Sequence, residues 1–163
     1  MKAQAAAKKL GTQIDILQPM YSLVKRQAEV ELFPMATSEN IAVAPYSPLG
    51  SGLLTGKYTK VGASGRLSSD TRYAARYGQE WMHDTARSLS AVAMDIGHDP
   101  ATIAVAWAKQ HPAVTAPIIS ARNTKQLTAS LAALQINLSA EDYDRVAAIS
   151  PTPAPATDRL EEI

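Results

Sequence analysis

Short apolar runs alternate with amphipathic segments along most of this chain. Residues 14–18, 41–46 and 114–119 are apolar runs of strand length, which is typical of buried strands. Helical patterns precede, separate and follow these runs. Strands that alternate with helices favour parallel pairing through right-handed crossovers. The pattern therefore predicts an α/β fold around a parallel sheet, with few strands for a sheet that needs cover on both faces.

The predicted helices begin and end at residues that favour helix termini. An Ala- and Lys-rich helix over residues 2–10 ends at Gly11, the position where glycine commonly stops a helix. Asp99 and Pro100 begin a helix that reaches residue 110, and Ser139 begins one that reaches about residue 149. Further helices are predicted over residues 26–38, with a break or kink at Pro34, over residues 80–96, and over residues 124–134, with Leu127, Leu131 and Leu134 on one face.

Two loops that follow predicted strands carry ligand-binding chemistry. In the Gly-rich loop over residues 47–65, Gly50 and Gly52 allow a ligand to approach the backbone, and serine hydroxyls can donate hydrogen bonds. After the third strand, Arg122 and Lys125 lie at a helix start that favours an anion. Together the loops predict a phosphate-bearing cofactor. The alternative is that the glycines only turn the chain and that Arg122 is a solvated surface charge.

Two side chains at strand ends admit two interpretations each. Tyr46 ends the second strand and either presents a flat ring to a planar ligand or packs in the core. Gln18 ends the first strand and either offers its amide to a ligand carboxamide or is a satisfied polar residue. No combination of side chains forms a credible catalytic set, and the three histidines are too scattered for a zinc motif.

Composition narrows the function classes. The 163 residues are 46% hydrophobic and carry a net charge of +1, so the chain has a core but no general attraction to nucleic acid or membrane. Cysteine is absent, which excludes disulfides and thiolate metal sites. No apolar run spans a membrane or resembles a signal peptide, so we expect a cytoplasmic protein. We expect one domain over residues 1–150 and a Pro-rich tail over residues 151–163.

Four segments resemble the aldo-keto reductase family. They are ILQPMYSL at residues 16–23, APYSPLGSGLLTGK at 44–57, AVAW at 104–107 and PIISARN at 117–123, in the family's order. The resemblance extends over nearly the whole chain. That family is a (β/α)₈ barrel that reduces carbonyl groups with NADPH, so the resemblance implies an NADP-dependent oxidoreductase that uses NADP(H) as cofactor.

The resemblance also assigns roles in cofactor binding. Tyr46 matches the tyrosine that stacks on the nicotinamide, and Gln18 matches the glutamine that holds its carboxamide. The pyrophosphate loop corresponds to Ser47, Leu49, Gly50 and Ser51, and the segment around the adenosine 2′-phosphate contains Ser120, Ala121, Arg122 and Gln126. Arg122 and Gln126 are the candidates for that phosphate. Where the family often has Glu-Asn near the adenine, this chain has Ala129 and Ser130.

The resemblance covers only the C-terminal portion of the barrel, about its last three strands with their helices. A complete barrel has about 250 residues, and the family's catalytic Asp, Tyr, Lys and His belong to earlier strands. We therefore expect a partial barrel that holds the cofactor and acts on a small carbonyl substrate only if an N-terminal half-barrel is supplied. The alternatives are a non-catalytic nucleotide-binding module that self-associates through its open sheet edges, and a truncated product without activity.

Overall fold

The computed structural model describes residues 2–59 and 62–155. Its strands are β1 (Ile16–Leu17) and β2 (Ala42–Val43), and its α-helices are α1 (Lys2–Lys9), α2 (Leu32–Ser38), α3 (Arg66–Ser69), α4 (Thr71–Tyr77), α5 (Glu80–Asp95), α6 (Pro100–Gln110), α7 (Thr124–Ala132) and α8 (Ala140–Ala148). Short 3₁₀ helices cover Gln27–Glu29, Gly50–Thr55, Lys57–Thr59 and Ala133–Gln135. The described chain is an α/β structure, rich in helix, with a small open sheet.

The two strands lie side by side and run parallel. Ile16 is opposite Ala42, and Leu17 is opposite Val43. This pairing confirms the parallel arrangement that the alternation of strands and helices predicts, although each strand is only two residues long. The segment from β1 to β2 contains α2, which packs against β2.

The third predicted strand lies beside β2 without forming a ladder. Within the described residues, its one bridge joins Ile118 to Tyr46, in parallel. The amide of Val43 donates to the side-chain Oγ1 of Thr115 at 3.1 Å, so a hydroxyl replaces a backbone acceptor. Pro117 has no amide hydrogen to give. The expected strand is therefore an extended segment that leads into α7.

The predicted helix termini at three positions are confirmed. Gly11 follows α1 with a φ of +71°, the left-handed conformation that ends a helix. Asp99 accepts a hydrogen bond from the amide of Ala101 at 2.8 Å, and Ser139 accepts one from the amide of Asp142 at 3.0 Å. These side chains satisfy amide groups that have no partner inside their helices.

The prediction of one kinked helix over residues 26–38 is wrong. A 3₁₀ turn over Gln27–Glu29 is separated from α2 by Val30 and Glu31. Pro34 occupies the third position of α2. An amide group in the first turn has no acceptor within the helix, so the proline removes no helical hydrogen bond. The interruption therefore comes before the proline, and the proline is accommodated in the first turn.

The core forms around α6 and two aromatic residues. All residues of α6 from Ala101 to Ala108 are buried, because small alanine side chains let neighbouring elements approach this helix on every side. The ring of Trp107 stacks on that of Tyr21 at 5.2 Å between centroids and on that of Tyr143 at 5.9 Å. The core thus links the segment after β1 to α6 and α8.

Several apolar side chains remain at the surface. Leu127 and Leu131 on α7 are 38% and 44% exposed, and Leu134 in the 3₁₀ helix after α7 is 66% exposed, so the predicted apolar face is only partly covered. Ile16 in β1 is 56% exposed, and β1 pairs with β2 on one side only. Both sets of apolar side chains are therefore open to further packing.

None of the helices in the described ranges is both long enough and apolar enough to cross a membrane. A cytoplasmic location stays a prediction. Residues 151–155 form neither helix nor strand, and residues 156–163 of the expected Pro-rich tail lie outside the described residues. The division into a domain and a tail stays a prediction.

Candidate functional site

An open cleft of about 720 Å³ lies where the chain leaves β2. Its walls come from the loop after β2, from the segment that leads into α7, and from the first turns of α6 and α7. The cleft therefore unites the two loops whose chemistry predicts a phosphate-bearing ligand. Its volume is in the range of sites for small molecules and cofactors, about 300–1,000 Å³.

Tyr46 presents its ring at the edge of this cleft. Its amide donates to the carbonyl of Pro19 at 2.9 Å, and its carbonyl accepts from the amide of Tyr21 at 3.1 Å. These bonds and the bridge to Ile118 hold the backbone on both sides. The side chain is 36% exposed, so Tyr46 is not a core tyrosine and its ring is accessible to a planar ligand.

The loop after Tyr46 has an unusual backbone. Positive φ angles occur at Ser47 (+61°), Gly50 (+54°), Ser51 (+56°) and Gly52 (+93°). Side-chain-bearing residues seldom adopt this conformation, and such strain concentrates at ligand-binding and active sites. Both serines line the cleft, so the loop directs hydroxyl groups and backbone towards a bound molecule.

Gly50 lies beneath the loop, against the core. A Cβ atom at this position would lie 3.1 Å from Cγ2 of Val24 and 3.6 Å from Cε1 of Tyr77. The absence of a side chain thus lets the loop sit directly on these two residues. Burial raises the pKa of the Tyr77 hydroxyl above its usual value, so this group stays protonated and supports the loop without a charge.

Two cations that sequence reasoning missed lie in the cleft wall. Lys57 lies within the Gly-rich loop, Arg66 follows it at the start of α3, and both line the cleft. The ammonium group of Lys57 is 4.5 Å from the ring centroid of Tyr58, and the guanidinium of Arg66 is 5.0 Å from that of Tyr73. Tyrosine rings therefore position both charges. Lys57 ends the segment APYSPLGSGLLTGK, but the resemblance gives it no role in cofactor binding. Arg66 begins α3, which lies in a stretch for which the hydrophobic pattern predicts no helix.

The start of α7 forms the opposite wall. Asn123 caps the helix by accepting from the amide of Gln126 at 3.0 Å, and the side chain of Gln126 accepts from the amide of Arg122 at 3.1 Å. Both Arg122 and Lys125 line the cleft. This wall therefore combines two cations with a helix N-terminus, an arrangement that favours anions.

The start of α6 completes the cleft. The hydroxyl of Thr102 donates to the carbonyl of Ala129 at 2.7 Å and so ties α6 to α7. Ala101 and Ala129 give the cleft an apolar wall, and Asp99 lies at its border. Ser130 is buried and does not line the cleft. The Ala-Ser pair therefore contributes only a methyl group to the wall.

The structure brings most of the predicted cofactor residues together. Those that line the cleft are Tyr46, Ser47, Leu49, Ser51, Ser120, Arg122 and Gln126. Gly50 supports the cleft from below, and Gln18 is exposed and does not line it. The roles of these residues in cofactor binding stay predictions. The group of His, Asp and Glu side chains needed for a metal ion is not found within the described residues.

Comparison with known proteins identifies related chains. A family model for the aldo/keto reductase family matches residues 1–151. An uncharacterized oxidoreductase of Bacillus subtilis is 32% identical over 160 residues, which are 96% of this chain and 47% of that protein. An uncharacterized oxidoreductase of Mycobacterium tuberculosis is 35% identical over 143 residues, covering 88% of this chain and 43% of that protein.

The similarity also extends to a relative that is named as a channel subunit. A probable voltage-gated potassium channel subunit beta of Oryza sativa is 31% identical over 143 residues, which are 81% of this chain and 42% of that protein. The chain spans less than half the length of each of these curated relatives. The similarity nevertheless extends across both loops of the cleft.

Proposed function

Because the chain belongs to the aldo/keto reductase family, we propose that it binds NADP(H) in the cleft and forms the cofactor-binding part of an oxidoreductase. The reaction is hydride transfer between the nicotinamide and a small carbonyl compound or its alcohol. Two relatives that carry the name oxidoreductase support this reaction class. Since the chain spans under half of their length, the activity belongs to the complete enzyme.

The observation that carries the proposal is the charge distribution of the cleft. The cationic side chains that line it are Lys57, Arg66, Arg122 and Lys125, from three separate segments. They face serine hydroxyls and a strained glycine-rich backbone, which suit a pyrophosphate. A dinucleotide with an additional phosphate supplies several anionic groups for these charges. The donors present thus fit NADP(H).

The order of these residues along the cleft sets one orientation for the proposed cofactor. Tyr46 offers its ring to the nicotinamide, Ser47 and Ser51 donate to the pyrophosphate, and Arg122 with Gln126 holds the 2′-phosphate. When bound, the nicotinamide supplies or accepts the hydride. The contribution of this chain is to hold that ring against Tyr46 and to neutralise the phosphates, so that the reacting face is oriented towards the substrate.

The proton donor comes, in this proposal, from outside the chain. A hydride delivered to a carbonyl carbon leaves an alkoxide that requires a proton. Tyr21 is buried, and its hydroxyl donates to Oε1 of Glu29 at 2.7 Å. Tyr77 is also fully buried. Neither buried hydroxyl is exposed to a substrate in the cleft, and Tyr46 is assigned to the nicotinamide. The family resemblance places none of the other tyrosines, Tyr58, Tyr73 and Tyr143, in the catalytic position.

We further propose that the open surface receives the remaining strands of the barrel. β1 lacks a neighbour on its outer edge within the described residues. Ile16 in β1 is 56% exposed, and Ile118 in the extended segment beside the end of β2 is 40% exposed. Unpaired strand edges favour association. An N-terminal half-barrel would cover both. In its absence a second copy of the chain would bind there, as in a non-catalytic module.

Titration of the purified chain with NADPH, followed by nicotinamide fluorescence, tests the proposal. We expect saturable binding of one molecule per chain, weakened by salt because charged groups dominate the contact. Lys57→Ala is expected to weaken binding about tenfold, the value of one charge-assisted hydrogen bond. The matched variant Lys9→Ala removes a lysine at the far end of α1 and leaves binding unchanged. No binding by the folded chain would contradict the proposal.

A second measurement separates cofactor binding from turnover. The chain alone is expected not to oxidise NADPH in the presence of aldehydes or ketones, because the proton donor lies elsewhere. Turnover that persists after removal of host reductases would show that the chain contains its own acid. Restored turnover on addition of an N-terminal half-barrel of a relative would support the division of roles.

A further inference from the structure

Asp99 is an acid in a cleft lined by cations. Among the described residues that line the cleft, it is the one carboxylate beside four lysine and arginine side chains. A negative charge there opposes the binding of phosphates and lowers the affinity for an anionic ligand. A contact with a part of the ligand that donates hydrogen bonds would offset this cost.

The helix fixes the direction of this carboxylate. Oδ1 of Asp99 accepts from the amide of Ala101 at 2.8 Å and caps α6. Within residues 2–59 and 62–155, Asp99 takes part in no ion pair. One oxygen is thus held by the helix, and the second is available to accept a hydrogen bond. The side chain is exposed at the cleft border.

The surroundings of Asp99 suit a flat heterocycle. Ala101 and Ala129 line the cleft with small apolar groups, and the bond from Thr102 to the carbonyl of Ala129, at 2.7 Å, keeps the two helices together. Ser130 is buried, so its hydroxyl does not reach this wall. A base packed on the alanines thus finds no hydrogen-bond partner at residues 129 and 130.

We propose that Asp99 selects the adenine base by accepting a hydrogen bond from its exocyclic amino group. This assignment rests on the proposed function, because it places the adenosine end of NADP(H) between α6 and α7. Arg122 binds the 2′-phosphate of the same nucleoside. The carboxylate is repelled by that phosphate, which favours the edge of the base over the ribose as its partner.

The test compares NADPH with its hypoxanthine analogue, in which a carbonyl oxygen replaces the amino group. Wild-type chain is expected to bind the analogue about tenfold more weakly, because a donor is replaced by an acceptor facing a carboxylate. Asp99→Asn keeps a helix-capping side chain and presents an amide that can donate to the analogue. Its two dissociation constants are expected to agree within about twofold.

Two further variants complete the design. Asp99→Ser keeps the cap but does not reach the base, so it is also expected to lose the discrimination. Asp144→Asn removes an exposed carboxylate on α8 and is expected to retain the wild-type ratio of the dissociation constants for NADPH and the analogue. Thermal melts followed by circular dichroism check that each variant is folded.

The outcomes separate this assignment from the proposed function. Equal affinity of the wild-type chain for both nucleotides overturns the role of Asp99 and leaves NADP(H) binding in place. If Asp99→Asn keeps the wild-type ratio of the dissociation constants for the two nucleotides, the discrimination lies at another residue, and this result also overturns the assignment. If the wild-type chain binds neither nucleotide, the proposed function fails, and the role of Asp99 fails with it.

Discussion

The backbone amide of Arg122 donates to the side-chain oxygen of Gln126 at 3.1 Å. In the same turn, the amide of Gln126 donates to Oδ1 of Asn123 at 3.0 Å. These bonds close the loop that precedes α7 before any ligand is present. The guanidinium of Arg122 is thereby carried on a fixed backbone, which lowers the entropic cost of binding an anion.

Arg122→Ala is expected to weaken the binding of NADPH more than that of NADH. The two cofactors differ in the 2′-phosphate, and a lost charge-assisted contact costs about 1.5–3 kcal/mol. Fluorescence titration of both cofactors measures the difference. Arg87→Ala removes an arginine that pairs with Glu80 on the surface of α5 and provides the matched control. An equal loss of affinity for both cofactors would remove Arg122 from this role.

Gly50→Ala is expected to destabilise the chain and to reduce cofactor affinity together. The φ of +54° costs a side-chain-bearing residue about 1–2 kcal/mol, and the added methyl group would lie 3.1 Å from Val24. Gly97→Ala is the control, since its φ is +77° but nothing lies within 4 Å of the added atom. Urea unfolding should therefore show a larger loss for Gly50→Ala. Equal losses would indicate that backbone strain alone matters.

The stability of the fold is expected to fall with pH below about 6.5, in part because of His111. Burial lowers the pKa of this imidazole below its usual 6.5, so the unfolded chain binds the proton at a pH where the folded chain does not. The contribution is present above the unfolded pKa and is lost as the pH falls.

The pH effect is measured by urea unfolding between pH 7.5 and 5.5. His111→Gln is expected to reduce the dependence of the unfolding midpoint on pH, whereas His98→Gln, at an exposed position, leaves it unchanged. If His111→Gln keeps the full wild-type slope, other groups cause the acid sensitivity.

The sequence predicts the helices best where capping residues mark them. Asp99 and Ser139 each cap the helix expected from their position, because a cap is a local contact within a few residues. The third strand fails partly for a non-local reason. Besides the amide hydrogen that Pro117 lacks, the hydroxyl of Thr115 accepts from the amide of Val43 across 72 positions of sequence, and no local pattern contains that bond.

The candidate site likewise contains residues that a local sequence pattern predicts and residues that only the fold brings together. The serines and glycines of the loop after β2 are contiguous in sequence, so their shared chemistry is visible as a motif. Lys57 follows the serines and glycines within the same loop, but its place in the cleft wall, like that of Arg66, emerges only from the fold. For Asp99 the sequence predicts a helix cap, and it does not indicate that this residue borders the cleft.

Assembly is expected to depend on the exposed apolar surface. Leu127 and Leu131 on α7, Leu134 in the 3₁₀ helix that follows it, and the edge of β1 are open in the described structure. Exposed apolar patches beyond a few hundred Å² are uncommon in monomers. Light scattering at micromolar concentration should show a homo-oligomer or aggregation of the chain. A combined Leu131→Lys and Leu134→Lys variant should reduce association. A monodisperse wild-type monomer that unfolds cooperatively would contradict this expectation.

The most direct test of the central claim is a map of NADPH binding by ¹H–¹⁵N spectroscopy of the labelled chain. Amide resonances of residues 46–57 and 120–126 are expected to shift together and to saturate, since both loops line one cleft. Resonances of α8, which lies outside the cleft lining, should remain in place. Shifts confined to other surfaces, or no shifts in a folded chain at saturating NADPH, would contradict the assignment of this cleft as the cofactor site.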